Sequence, residues 1–234
     1  MANAGSFDWK DVGGLGLYTV PMVALLLNEK QRIVRSWIDG YPNSDASPII
    51  VRQVPQIGGK TVFGFLDLVE ARFVKHFCDL GLSPQSIRKV ATKLRQRHKE
   101  DHPFATNKRF RTDGRKIFLE VAETEEERRI LDIMTDNFVM ATMIERSLFD
   151  AILYADDLAY RWKPFKDAPK IVLDPKISFG RPVIEGTWVP TRTLYRSFVV
   201  DGSIPLTADE YGLDEDDVRQ AIDFERTLAE GTIH

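Results

Sequence analysis

The chain of 234 residues is 43% hydrophobic and 29% charged, with 32 Lys and Arg against 35 Asp and Glu. This is a globular composition, long enough for one large domain or two small ones. A single cysteine, Cys78, excludes an intrachain disulfide and a cysteine-based zinc site, and the scattered histidines His76, His98, His102 and His234 give no metal-ligand cluster. No apolar run approaches the ~20 residues that cross a bilayer, and Met1 to Lys10 lacks a basic-then-apolar leader pattern. A cytoplasmic protein with no metal and no cofactor is expected.

The net charge of −3 conceals an alternation: +1 over residues 1–66, +7 over 67–116, −8 over 117–160, +5 over 161–200 and −8 over 201–234. Such blocks suit a polyanion on one part of the molecule and a protein partner on another, and they equally describe solvated helix faces.

In chain order, Thr19 is placed to cap a helix whose first turn holds Val20 and Pro21, a position where proline loses nothing. After a break at Leu27-Asn28, residues 29–38 predict a second helix ended by Gly40, with Ile33, Val34, Trp37 and Ile38 as its buried stripe. The pair fits a helix-turn-helix. The apolar runs 49–54 and 60–63, separated by Pro55 and Gly58-Gly59, predict a β-hairpin that would be its wing. Helices follow over 65–80, closed by Gly81, and from Ser83-Pro84 to His98, the latter strongly basic. Asp113-Gly114 marks a second hairpin over 109–118. Residues 125–160 read as a long amphipathic helix, with Ile130, Ile133, Met134, Phe138, Ala141, Ile144, Leu148, Phe149 and Ile152 on one face, a surface for dimerisation or docking.

Trp162-Lys163-Pro164 and Pro169 mark a domain boundary. Beyond it come two short β runs, 171–175 and 182–186, a helix over 190–200, a break at Asp201-Gly202-Ser203, a short helix over 207–211 meeting Gly212, and a final helix over 215–228 capped by Asp214. The fold class expected is mainly α with short β-hairpins: a winged helix-turn-helix followed by a second, smaller helix-turn-helix. Its three segments are 15–120, a connector over 121–164 and 165–234.

Two resemblances attach to these pieces. Tyr18-Thr19-Val20, Val34-Arg35-Ser36-Trp37-Ile38, Phe65-Leu66-Asp67-Leu68-Val69-Glu70-Ala71-Arg72, Gly81-Leu82-Ser83 and Ile87-Arg88 stand in the order of the MerR-like winged helix-turn-helix family, which the first half resembles. Asp174-Pro175, Ile177, Gly180, Pro182-Val183-Ile184, Gly186-Thr187, Val189-Pro190-Thr191, Gly202-Ser203, Tyr211, Leu213 and Val218 resemble a small domain of bacterial VapB-like antitoxins. The chain departs from that family at Trp188, where an Arg is frequent, and at Pro205-Leu206, where acidic helix-starting residues are usual.

The resemblance implies an antitoxin that neutralises a PIN-type ribonuclease and represses its own operon as a homodimer on operator DNA. The DNA-binding residues would be Lys30, Gln31, Arg32 and Arg35 on the second helix, with Gln31, Arg32 and Arg35 facing base edges, then Arg52 in the wing and Arg88, Lys89 and Lys93 on the later helix. For the acidic cleft of the toxin, the basic 161–200 block offers Trp162, Lys163, Lys166, Lys170, Arg181 and Arg192. The C-terminal helix that begins Asp214-Glu215-Asp216-Asp217 would repel a DNA backbone, so its unit is assigned to dimerisation or toxin contact.

A MerR-like regulator without a toxin, its effector site in 121–160, is the alternative. An enzyme is not expected. Asp156-Asp157 and Asp216-Asp217 are neighbours whose side chains point apart, no phosphate cradle or Ser/His/Asp order is present, and Gly13-Gly14-Leu15-Gly16 has no strand before it. Cys78, beside Phe77 on an apolar face, reads as a core thiol.

Overall fold

The computed structural model describes residues 14–41, 46–106, 124, 125, 128 and 151–230. The expected hairpin over 109–118 and the apolar stripe from Ile130 to Phe149 lie outside the described residues. The architecture is mainly helical with short two-stranded pieces, as the periodicities require. The chain divides into two compact units: residues 19–160, and residues 161–234 with the N-terminal stretch ending at Tyr18.

The two-residue strand β1 (Tyr18–Thr19) leads into the first unit, where α1 (Val20–Leu27) starts as its sequence dictates. Thr19 Oγ1 accepts from the Met22 N–H at 3.4 Å, and Pro21 fills the first turn. The helix ends in a Schellman arrangement. Asn28 takes a left-handed conformation (φ 48°), its N–H bonds the Leu25 carbonyl, and the Glu29 N–H bonds that of Ala24. This reverses the chain into α2 (Gln31–Asp39), which buries Val34, Trp37 and Ile38 and stops at Gly40 (φ 82°); Ile33 is only half-buried.

The expected wing is much reduced. Gly58-Gly59 does make a tight turn, both residues at positive φ, but it closes a single Ile57–Lys60 bridge. Ile49 to Val54 forms no strand. Its backbone groups are already engaged: the Ile50 N–H donates to the Trp37 carbonyl at 2.9 Å, the Gln53 N–H to the Asp67 carboxylate at 3.0 Å, and Arg95 donates to the Ile49 carbonyl. Ile49, Ile50 and Val54 are buried, so the run lies in the core as an irregular strap. A run whose donors are used by helices cannot also form a ladder.

After β2 (Val62–Phe63) come α3 (Phe65–Asp79) and α4 (Pro84–His98). Ser83 Oγ accepts from the Ser86 N–H at 3.2 Å, which fixes the start of α4 where Ser-Pro predicted it. The core joins Val20, Val23, Trp37, Leu68, Phe73, Ile87 and Leu94. Phe104, in the 3-10 turn Pro103–Ala105, stacks on Phe73 at 6.4 Å and meets Phe77 at 5.8 Å.

The predicted helix over 125–160 does not reach Tyr160. Ile152–Ala155 (β3) and Leu158–Trp162 (β4) form a two-stranded sheet instead. Both residues of the connecting turn, Asp156 and Asp157, have positive φ (49° and 72°), the conformation of a type I′ hairpin, which aspartate tolerates better than most residues. Alternation over so few residues mimics helical spacing, and Asp-Asp signals the turn less strongly than Asp-Gly would.

In the second unit, β5 (Ile171–Val172) pairs antiparallel with β6 (Val183–Ile184), Ile171 opposite Ile184. Trp162 bridges Leu173 beside them. Three helices follow: α5 (Thr191–Asp201), α6 (Ile204–Tyr211) and α7 (Glu215–Glu230). Gly202 and Gly212 take left-handed conformations at the two breaks (φ 68° and 64°). The second of these helices begins earlier than expected, because Ser203 caps it by accepting from the Leu206 N–H at 3.3 Å, and Pro205 occupies its first turn. Ala208, Val218 and Ile222 form the core of the three-helix group, with Tyr195, Phe198, Ile204 and Leu213 packed around them.

Candidate functional site

On α2 the buried stripe leaves Gln31, Arg32 and Arg35 exposed, with Lys30 exposed immediately before the helix. Arg32 and Arg35 are one turn apart, so their guanidinium groups share a face. Neither forms an ion pair among the described residues. The helix is held from behind by the α1–α2 turn and by Trp37, which is 1% exposed. The helix thus has a buried back and an exposed cationic edge.

The other candidates of this unit divide. Lys89 and Lys93 are exposed at i, i+4 on α4, and Arg97, which the sequence reading counted only as part of a basic helix, extends their row by one more turn. Arg88 is half-buried. Arg52 is not in a wing. It sits half-buried in the strap, its guanidinium on the Asp39 carboxylate, whose other oxygen accepts from Thr61 Oγ1 at 2.7 Å. Arg52 therefore ties the end of α2 to the strap, and a phosphate would have to compete with Asp39 for it.

Arg95 is likewise structural. Its Nε donates to the Asp101 carbonyl at 2.9 Å, and Nη2 lies 3.6 Å from Glu70. Glu70 and Asp67 are fully buried, and His102 Nδ1 lies 3.6 Å from Glu70 and 3.7 Å from Asp67. Burial pushes the Asp67 carboxyl up to about 6, although His102 and the N–H groups of Gly64 and Gln53 pull it down. Burial also disfavours the charged imidazole of His102, but the facing Glu70 and Asp67 outweigh it and raise its pKa above the ordinary value. The cluster joins α3, α4 and the strap, and its Arg95 also lines a cleft of about 560 Å³ together with Ile50, Val51, Arg52 and Thr92. Burial pushes the Cys78 thiol up to about 11, aided by Asp79 and Glu29, which leaves it a poor nucleophile at neutral pH.

The six toxin candidates of the second unit are not equivalent. Trp162 is only 2% exposed and pairs by its backbone with Leu173, so it is a core residue and cannot act as an inserted probe. Lys163 Nζ lies 2.7 Å from Glu185, and Lys170 Nζ is bound to Asp217, which raises its pKa. Lys166, Arg181 and Arg192 are exposed. The sequence reading missed Phe179, which is exposed together with Trp188; a lone aromatic between Ser and Gly carries no local sign that it faces solvent. An open cleft of about 650 Å³ lies along α5 and α6, lined among others by Arg196, Val200, Leu206, Asp209 and Glu210, and in it Ser197 Oγ donates to Glu210 at 2.6 Å. No group of three His, Cys, Asp or Glu side chains among the described residues could hold a metal ion. No helix among them is long and apolar enough to cross a membrane.

Residues 171–224 match the family described as "Protein of unknown function (DUF433)". That match spans β5 to α7, most of the second unit. A protein of Mycobacterium tuberculosis named "Putative antitoxin VapB45" is 25% identical over 224 residues, covering 88% of this chain and 92% of its own. The crystal structure of Rv2018 from Mycobacterium tuberculosis superposes with a TM-score of 0.69 at 25% identity, covering 88% of this chain and 96% of that one. Both similarities run through the two units and are not confined to the matched family segment.

Proposed function

We propose that this chain is the antitoxin of a toxin–antitoxin pair and has no enzymatic activity of its own. Its first half, a MerR-like winged helix-turn-helix with a much shortened wing, binds operator DNA of its own operon. Its C-terminal half neutralises a PIN-type ribonuclease. The segment 121–164 is assigned to homodimerisation, which suits two-fold operators.

The similarity to an antitoxin-named relative over 88% of the chain supports the general role. The observation that carries the DNA part is the exposed Arg32–Arg35 face of α2, unpaired among the described residues and backed by the buried Val34, Trp37 and Ile38. Cations left unpaired in the protein are those able to displace counterions from phosphates or reach a guanine edge. Lys89 and Lys93 on α4 supply further phosphate contacts.

Two measurements test the reading with the full-length chain. In a gel shift, it is expected to retard the DNA fragment upstream of its own gene, with affinity falling steeply as salt rises. Added to the PIN-type nuclease encoded beside it, it is expected to stop Mg²⁺-dependent RNA cleavage. Equal affinity for unrelated DNA removes the operator, and unaltered cleavage removes the antitoxin role.

A further inference from the structure

The strap over 49–54 is tied down on either side of Val51 and Arg52. The Ile50 N–H donates to the Trp37 carbonyl, and the Gln53 N–H donates to Asp67. With the end of α2 and one face of α4, this strap walls the cleft of about 560 Å³, a volume within the range of small-molecule sites. Ile38 and Ile50, each 1% exposed, and Val51, 40% exposed, give it apolar sides. Thr92 and Gln96, one turn apart on α4, add polar groups.

The charge of the cleft has one sign. Arg52 and Arg95 line it, and no acidic residue does. The carboxylates that hold these two arginines, Asp39 and Glu70, are not among the lining residues. Neither guanidinium is fully used. Arg52 gives Nη2 to Asp39, while its buried Nη1 has no hydrogen-bond partner among the described residues. Arg95 gives Nε to the Asp101 carbonyl and Nη2 to the Ile49 carbonyl and Glu70, and its Nη1 forms no bond among the described residues. A buried donor left unmet carries an uncompensated desolvation cost, which an anion placed beside it removes.

We propose that this cleft binds a small organic carboxylate, with the carboxylate on Arg52 and Arg95 and the apolar body against Ile38, Ile50 and Val51. The planar fork of a guanidinium matches a carboxylate in shape as well as in charge. Asp39 keeps Arg52 Nη2, so the ligand takes the N–H that Asp39 leaves. The apolar walls select against a bare hydrated anion, which has no surface to bury there. The site lies wholly within the first unit and does not depend on the antitoxin reading.

The probe is octanoate, ionised at neutral pH, titrated into the full-length chain by isothermal calorimetry. Saturable binding with a Kd below about 1 mM is expected, the scale for a ligand of this size. Octanol and octylammonium lack the anion, inorganic phosphate lacks the apolar body, and each is expected to bind at least about 10-fold more weakly. Val51→Glu sets a tethered carboxylate at the cleft wall and is expected to weaken octanoate at least about 10-fold, with wild-type circular dichroism. Leu206→Glu, in the cleft of the second unit, is expected to leave octanoate binding unchanged. The comparison among probes uses the wild-type chain alone and holds even where Val51→Glu does not fold. The proposal is overturned by the absence of saturable octanoate binding, or by octanol, octylammonium or phosphate binding as tightly. Wild-type affinity in folded Val51→Glu, or an equal loss in Leu206→Glu, overturns it too.

Discussion

Arg32 and Arg35 stand exposed on one face of α2 with no ion pair among the described residues, whereas Lys163, Lys170 and Arg161 end on Glu185, Asp217 and Asp174. Both sets come from basic stretches of sequence. In the first unit the cations of α2 face outward and the nearby carboxylate, Asp39, is occupied by Arg52 and Thr61. In the second unit the cations flanking β5 and β6 act as internal clamps, and the outward charge is carried by Lys176, Arg181 and Arg192 around two exposed aromatics. A basic stretch therefore identifies a binding surface only after its internal partners have been subtracted.

The largest effect that would break this contrast is on DNA. Arg32→Ala/Arg35→Ala is expected to lower operator affinity about 100-fold or more, each such contact being worth about 1–3 kcal/mol, and to flatten the salt dependence. Lys163→Ala/Lys170→Ala is expected to leave it unchanged, so an equal loss in both variants, read by fluorescence anisotropy, would erase the contrast.

Next in size is Gly180→Ala, where the new Cβ meets Tyr18 at a left-handed backbone position. A loss of about 2–4 kcal/mol of stability is expected from overpacking and strain together. Chemical denaturation read at the second unit measures it, and a neutral result would show the turn to be soft.

The buried cluster of the first unit gives a pH dependence. Asp67 and His102 both have folded pKa values above their unfolded ones, about 6 against 3.8 for Asp67 and above 6.5 for His102. The folded state then binds more protons, so these groups favour folding at low pH. The Asp67 share fades as pH rises from about 4 through 6, and the His102 share as pH rises from 6.5 through its raised folded value. The stability advantage of wild type over His102→Asn is therefore expected to shrink as pH rises past 6.5. An advantage that grows with pH would reverse the assignment. Smallest is Lys163→Ala, whose half-exposed pair with Glu185 should contribute under about 1 kcal/mol to the melting equilibrium.

Legibility in the sequence followed the range of the interactions. Thr19-Val20-Pro21 and Ser83-Pro84 predicted the starts of α1 and α4 because a cap is satisfied within three residues. Asp201-Gly202-Ser203 and Gly212 likewise placed the helix breaks of the second unit. The strap over 49–54 was misread as a strand because its partners, Trp37, Asp67 and Arg95, are distant in sequence, and β-type composition does not reveal that they take its hydrogen bonds. Trp162 was misread as a probe for the same reason: its burial beside Leu173 depends on how the second unit closes.

By itself, then, the sequence determined the mainly helical class, the caps and turns of most helices, the amphipathic face of α2 and the alternation of charge, all set by neighbours a few residues apart. Only the tertiary structure decided which cations remain available. Lys163 pairs 22 residues away and Lys170 pairs 47 residues away, and no local pattern encodes such partners. The display of Phe179 is of the same kind, because the left-handed turn that presents it is braced by Leu17 from the far end of the chain.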